Sequence, residues 1–95
     1  MDSNYPDNAT LDSVRLSLRY SNKTFDSEII GLIEAAKADL SLAGVGRIET
    51  NDPLILQAIT QYVKGNWGYG EPKTQYLEIY KNLKIHLSMA GAYRV

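Results

Sequence analysis

The chain of 95 residues contains no cysteine. That absence removes disulfides, thiolate zinc sites and cysteine nucleophiles together, and it fits a reducing compartment. There is one histidine, His86, at the border of an apolar helical face, where a structural role is the simplest reading. No second imidazole exists to complete a metal set, and neither an HExxH run nor an EF-hand loop occurs. Glu34 cannot begin a Glu-x-x-His pair, because residue 37 is lysine. No apolar run approaches the roughly 20 residues needed to cross a bilayer. The opening residues Met1-Asp2-Ser3-Asn4 lack the basic and apolar regions of a signal peptide, so none is expected. An excess of one charge is missing too: the net charge is −1, which gives no general electrostatic drive toward nucleic acid. The balance is only mildly polarised, with five Lys/Arg against eight Asp/Glu in residues 1–50 and five against three in residues 51–95.

What is present is helix. A hydrophobic fraction of 44% with 22% charged residues excludes wholesale disorder, and the length predicts a single domain over residues 1–95. The longest periodic stretch runs from Phe25 to Gly44. Ile29, Ile33, Ala36 and Leu40 recur at helical spacing on one face. Gly31, Ala35, Ala38 and Leu42 recur on the opposite face. Thr24 or Asp26 is positioned to cap its start, and Gly44 to end it in the left-handed conformation. A surface helix needs one apolar stripe and this one has two. The second is built mainly of small residues, so it predicts a close helix approach, either within the bundle or between subunits.

Residues 1–9 are polar and turn-rich and read as a loose arm. Thr10 or Asp12 could cap a short first helix holding Leu11, Val14 and Leu18 on one face, with Arg15 and Arg19 beside it and Lys23 just beyond. Residues 44–52 contain two glycines and an Asn-Asp pair and read as a loop, in which Val45 and Ile48 imply packing. Asp52-Pro53 restarts a helix, with aspartate as cap and proline at the first helical position. That helix has a wide apolar arc of Ile55, Leu56, Ala58, Ile59, Tyr62, Val63 and Trp67. Gln57, Thr60, Gln61 and Lys64 form its polar side. Gly65, Gly68, Gly70 and Pro72 are predicted to break the chain. The last helix, from about Lys73 to Ala90, turns Tyr76, Tyr80, Leu83 and Leu87 inward, flanked by Ile79, His86 and Ala90. Leu77, Ile85 and Met89 fall off that face. Gly91 ends it and leaves a short extended tail. The expected architecture is all-α, a small bundle of about four helices with short loops.

Little in this arrangement can do chemistry. The run Gly65-Asn66-Trp67-Gly68-Tyr69-Gly70 could let backbone N–H groups approach an anion, but it lacks the GK[ST] ending and preceding strand of a P-loop. Trp67 therefore reads either as a plug for the bundle end or as a protein-contact anchor. Tyr62, Tyr76 and Tyr80 have core spacing, whereas Tyr5, Tyr69 and Tyr93 fall in loops or tails. Asp39 and Glu28 read as solvating a helix rim. Lys73, Lys81, Lys84 and Arg94 outnumber Glu78 in the last segment, which a solvated helix face explains more simply than a DNA-facing patch. No nucleophile-base pair or metal set is present, so neither an enzyme nor a cofactor is expected.

The order of these features resembles the small head-tail connector, or adaptor, proteins of long-tailed bacteriophages and of Firmicutes prophages, often described as DNA-packaging proteins. The matching pieces are the Leu-rich helix from Leu11 to Arg19, then the Asp26–Ala36 run with Ile29, Leu32, Ile33 and Ala36. Lys37-Ala38-Asp39-Leu40, Gly44 and the Asp52-Pro53 restart follow. Next come Ala58-Ile59, Tyr62-Val63-Lys64, the pair Trp67-Gly68, the Tyr80–Leu83 spacing and Tyr93. The resemblance spans nearly the whole chain. It implies a non-enzymatic structural subunit that assembles into a ring under the portal protein, extends the DNA channel and offers a docking surface to a stopper or tail-completion protein. DNA would pass through without sequence-specific recognition and no membrane would be involved. The location implied is the virion head-tail interface, after assembly in the host bacterial cytoplasm. On that reading the candidate protein contacts are Gly31, Ala35 and Ala38, Arg47 and Ile48 of the 44–52 loop, Trp67 and Tyr69 of the 65–72 loop, and Tyr93 and Arg94 of the tail. The alternative is a small helical DNA-binding regulator, suggested by Arg15, Arg19 and Lys23. It lacks a recognition helix with clustered Arg, Lys, Asn and Gln.

Overall fold

The computed structural model describes residues 8–68 and 74–94, and among them four helices and no strand are found. They are α1 (Asn8–Ser17), α2 (Asp26–Leu42), α3 (Pro53–Asn66) and α4 (Thr74–Met89). A 3-10 turn, Gly91–Tyr93, follows α4. The all-α expectation is met. The readings placed on residues 1–7, Tyr69, Gly70, Pro72 and Lys73 lie outside the described residues. Of the arm expected over residues 1–9, Asn8 and Ala9 belong to α1 instead.

The middle of the bundle is α3, which packs against α1, α2 and α4. Its wide apolar arc is the reason. Ile55, Ala58, Ile59, Val63 and Trp67 are all buried, and Leu56 and Tyr62 are half-buried. Thr60 and Gln61 were expected on a polar side, yet both are buried. With neighbours on three sides, α3 has little surface left for water. Thr60 answers this by donating its hydroxyl to the Leu56 carbonyl at 2.8 Å, the back-bond that lets a hydroxyl sit inside a helix bundle.

The stripe of α2 that faces α3 is fully buried at Ile29, Ile33, Ala36 and Leu40. From α1, Val14 joins the same core, with Leu11 and Leu18 packed at its edge. In α4, Tyr80 and Leu87 are buried and Tyr76 and Leu83 half-buried. Ile79, expected to flank that inward face, is instead largely exposed, as is His86.

Helix ends follow local chemistry, with two departures from expectation. Asp52 caps α3 as read, accepting from the Leu54 N–H at 2.9 Å with Pro53 behind it. At the start of α2, however, Phe25 holds the cap position without a side-chain bond. Asp26 lies in the first turn and accepts two bonds from Arg15, at 2.9 and 2.8 Å. An ion pair to a guanidinium is the stronger bond, so it takes the carboxylate that a cap would have used. Nor do Thr10 and Asp12 cap α1, which begins earlier. Thr10 is buried, and Asp12 accepts from Arg15 at 2.7 Å. Gly44 ends α2 with φ of 99°, and Val45 N–H reaches back to Leu40 at 3.0 Å. α1 ends the same way with arginine in the glycine's place. Arg19 has φ of 67°, and Tyr20 N–H donates to the Arg15 carbonyl at 3.2 Å. The left-handed conformation costs a non-glycine residue about 1 kcal/mol.

Gly65 does not break the chain. It lies inside α3 and is buried, because a Cβ there would come within 2.5 Å of Leu77 Cδ2 and 3.3 Å of the Leu77 backbone nitrogen. α4 crosses α3 at this point with no room for a side chain.

Candidate functional site

α2, α3 and α4 run alternately up and down, so the bundle has two ends. At one end stand the 44–52 loop and the C-terminal turn. The expected extended tail is in fact folded back onto that loop, because the loop's donors need an acceptor. The Tyr93 carbonyl accepts from the Gly46 N–H at 2.6 Å and from the Arg47 N–H at 3.2 Å. Its phenol donates to Asp52 Oδ2 at 2.7 Å. That bond, with the N–H groups of Leu54 and Ile55, holds the Asp52 carboxyl below the usual carboxylate range and pushes the Tyr93 phenol up. Four sequence-derived contact candidates, Arg47, Ile48, Tyr93 and Arg94, are thereby brought to one end. Arg47 and Arg94 are exposed, while Ile48 and Tyr93 are half-buried against the core.

The other end is closed by rings. Trp67 is 5% exposed. It packs against Tyr20 and Phe25 at centroid distances of 5.8 and 5.7 Å, and its indole N–H points to the Tyr20 hydroxyl at 3.3 Å. Of the two readings of Trp67, this geometry supports the plug. Tyr69 lies outside the described residues.

Gly31, Ala35 and Ala38 occupy the outer face of α2. Gly31 and Ala38 are exposed and Ala35 half-buried. A Cβ built on Gly31 meets nothing within 4 Å, and Leu42, at the end of the same stripe, is 87% exposed. Among the described residues, no neighbour fills the space over Gly31 or covers Leu42.

Two polar constructions were not anticipated. Asp39 does not merely solvate a rim: its Oδ2 accepts from the Tyr80 hydroxyl at 2.6 Å and from Lys84 Nζ at 3.0 Å. The hydroxyl, then the ammonium, keeps Asp39 below the usual carboxylate range, while burial and the carboxylate push the Tyr80 phenol up. Arg15 is likewise engaged by Asp26 and Asp12. Both constructions remove cations from the surface that a DNA-binding reading would need. No local spacing announced the Tyr93–Asp52 and Tyr80–Asp39 bonds, since each joins residues 41 positions apart.

A groove of about 460 Å³ between the start of α1 and the start of α3 is lined by Ala9, Thr10, Thr50, Asn51, Pro53 and Leu56. No ionisable side chain stands among these residues. Among the described residues no group of three or more His, Asp or Glu side chains is placed to hold a metal ion, and no helix is long and apolar enough to cross a membrane.

A protein-family model described as phage connector protein matches residues 10–94. The chain belongs to the phage connector protein family. No curated protein and no solved structure gives a significant match. The matched span takes in every described helix of the connector from Thr10 onward, including the turn that carries Tyr93. The family is a structural one, and association with phage head or tail proteins follows from membership. For this connector the relevant geometry is therefore surface geometry: an unfilled small-residue stripe on α2 and a bundle end built from the 44–52 loop and the C-terminal turn.

Proposed function

We propose that the protein is a subunit of a ring that sits under the portal protein, continues the DNA channel and presents a docking surface to a stopper or tail-completion protein. Family membership over residues 10–94 is the observation that carries this reading. A ring joins each subunit to two neighbours through heterologous contacts, so each protomer needs two different surfaces. The outer stripe of α2, with Gly31 open and Leu42 exposed, is suited to one of them, because small residues let a neighbouring backbone approach. Arg47, Ile48, Tyr93 and Arg94 form the candidate docking end, and the role is structural, not catalytic. Near-neutral charge suits a channel through which DNA slides without sequence-specific retention. The protein would reside at the virion head-tail interface once assembled in the host cytoplasm.

Negative-stain imaging of the protein, alone and with its portal, tests the ring; failure to find rings under both conditions would sink the proposal. Gly31→Leu tests the stripe. Rings are expected to disappear while the melting temperature of the monomer stays within a few degrees of the parent, about the change given by 0.5 kcal/mol at this chain length. Rings that persist in this variant would move the interface elsewhere.

A further inference from the structure

The C-terminal turn is held to the rest of the molecule in an unusual way. Gly91, Ala92 and Arg94 are exposed, and Tyr93 is the residue of the turn that packs at the edge of the core. Among the described residues, the hydrogen bonds from the turn to the rest of the molecule pass through Tyr93: its carbonyl accepts from Gly46 and Arg47, and its hydroxyl donates to Asp52. Within itself the turn is closed by Tyr93 N–H to the Ala90 carbonyl at 3.0 Å and Arg94 N–H to Gly91 at 3.4 Å. Ala90, just beyond α4, has φ −80° and ψ 124°, an extended conformation in which rotation swings the turn without disturbing the helix.

The partner segment is held to the core by Val45 and Ile48, independently of the turn. Residues 45–49 form no helix or strand, and the N–H groups of Gly46 and Arg47 take their acceptor from Tyr93. Loss of that acceptor leaves α2 closed by its own bonds at Gly44 and Val45. It also leaves α3 capped, since Asp52 uses its other oxygen for Leu54. Segments with few buried apolar contacts and exposed backbone bonds open locally at a small fraction of the global unfolding free energy.

We propose that the turn 91–94 is a latch, which swings open about Ala90 and releases the Gly46 and Arg47 N–H groups while the four-helix bundle, Ile48 and the Asp52 cap of α3 stay in place, with Tyr93 as its catch. When open, it leaves two adjacent backbone donors, on Gly46 and Arg47, and one Asp52 oxygen without their partners in the turn. The proposal concerns the isolated protein and does not depend on ring formation.

Amide hydrogen exchange on the full chain tests it. In the parent protein, Gly46 and Arg47 are expected to exchange at a common opening rate, well ahead of the Ile33 and Ile59 amides inside α2 and α3. Tyr93→Ala should accelerate exchange at Gly46 and Arg47 by about tenfold or more and leave Ile33 and Ile59 unchanged. Tyr93→Phe, which keeps the carbonyl and ring and loses only the bond to Asp52, should give a smaller acceleration of about fivefold at the same two amides. The latch is overturned by any of three results: Gly46 and Arg47 exchanging only as slowly as the core, their exchange unaltered in both variants, or Ile33 and Ile59 losing protection alongside them.

Discussion

Gly31 and Gly65 both sit inside helices, and they have opposite surroundings. Around Gly31, on the outer face of α2, an added Cβ would touch nothing within 4 Å. Around Gly65, where α4 crosses α3, it would lie 2.5 Å from one Leu77 carbon and 2.8 Å from another. A mid-helix glycine such as Gly31 costs about 1 kcal/mol relative to alanine, and Gly65, in the last turn of α3, costs up to about that much, so each position gives up stability that a methyl group would restore. At Gly65 the return is visible within the chain, as two helices in close contact. At Gly31 the described residues provide none, and the proposed ring would supply it from a neighbouring protomer.

The widest separation between the two sites should appear at Gly65. In Gly65→Ala, overpacking of up to ~3 kcal/mol outweighs the ~1 kcal/mol gained in helix propensity. The Leu77 side chain can turn away from the new methyl group, but the Leu77 backbone nitrogen at 3.3 Å moves only if α4 moves. A net loss of about 2 kcal/mol is expected, read as a fall of about 8–16 °C in the thermal midpoint. A midpoint equal to or above the parent's would show that α4 can yield at no cost, and the contrast between the glycines would collapse.

Periodicity shows that a helix face is covered but does not identify the cover. The stripe Ile29–Ile33–Ala36–Leu40 was legible because large apolar side chains at helical spacing have one plausible destination, and all four are buried. The Asp52-Pro53 restart and the Gly44 stop were legible because their effect is local. Gly65 was misread as a breaker, since a glycine that packs and a glycine that ends a helix look alike in sequence. Thr60 and Gln61 were misplaced because α3 is enclosed on several sides, a property of the whole bundle. The folded-back turn was hidden for a related reason: Tyr93 finds Asp52 only after three helices have brought the bundle's end together. For the candidate contacts, the sequence named Arg47, Ile48, Tyr93 and Arg94 separately, but their meeting at one end is a product of the fold.

A second contact across the bundle offers a smaller perturbation. Tyr80 on α4 donates to Asp39 on α2, so Tyr80→Phe removes one bond to a charged acceptor and keeps the ring against Tyr62, 5.1 Å away. Such bonds contribute about 1.5–3 kcal/mol when sheltered. Asp39 is about one-third exposed at 36% and retains Lys84, so a loss of about 1 kcal/mol is expected in chemical denaturation. The same pair sets a pH dependence. Because the folded protein holds Asp39 below its ordinary value of 3.8, the bond's contribution is present above that pH and is lost as pH falls through the depressed folded value. Tyr80→Phe should therefore flatten the acid limb of the stability profile below about pH 4. Parallel profiles for variant and parent would mean that this bond adds nothing to acid sensitivity.

The smallest effect, and the one with the opposite sign, belongs to Gly31→Ala. Nothing stands where the methyl group would go, and the backbone there is helical. The substitution therefore acts through helix propensity and through the reduced freedom of the unfolded chain, which together stabilise by about 0.5–1 kcal/mol. The thermal midpoint should rise by about 2–8 °C. A fall would mean that the outer face of α2 is already packed in the isolated protein. A rise accompanied by weakened self-association would place a neighbouring backbone directly over Gly31, because only there can one methyl group both strengthen a helix and obstruct its partner. The pair of measurements separates the two demands on α2: folding, served by the isoleucine stripe, and assembly, to which the proposed ring assigns the glycine.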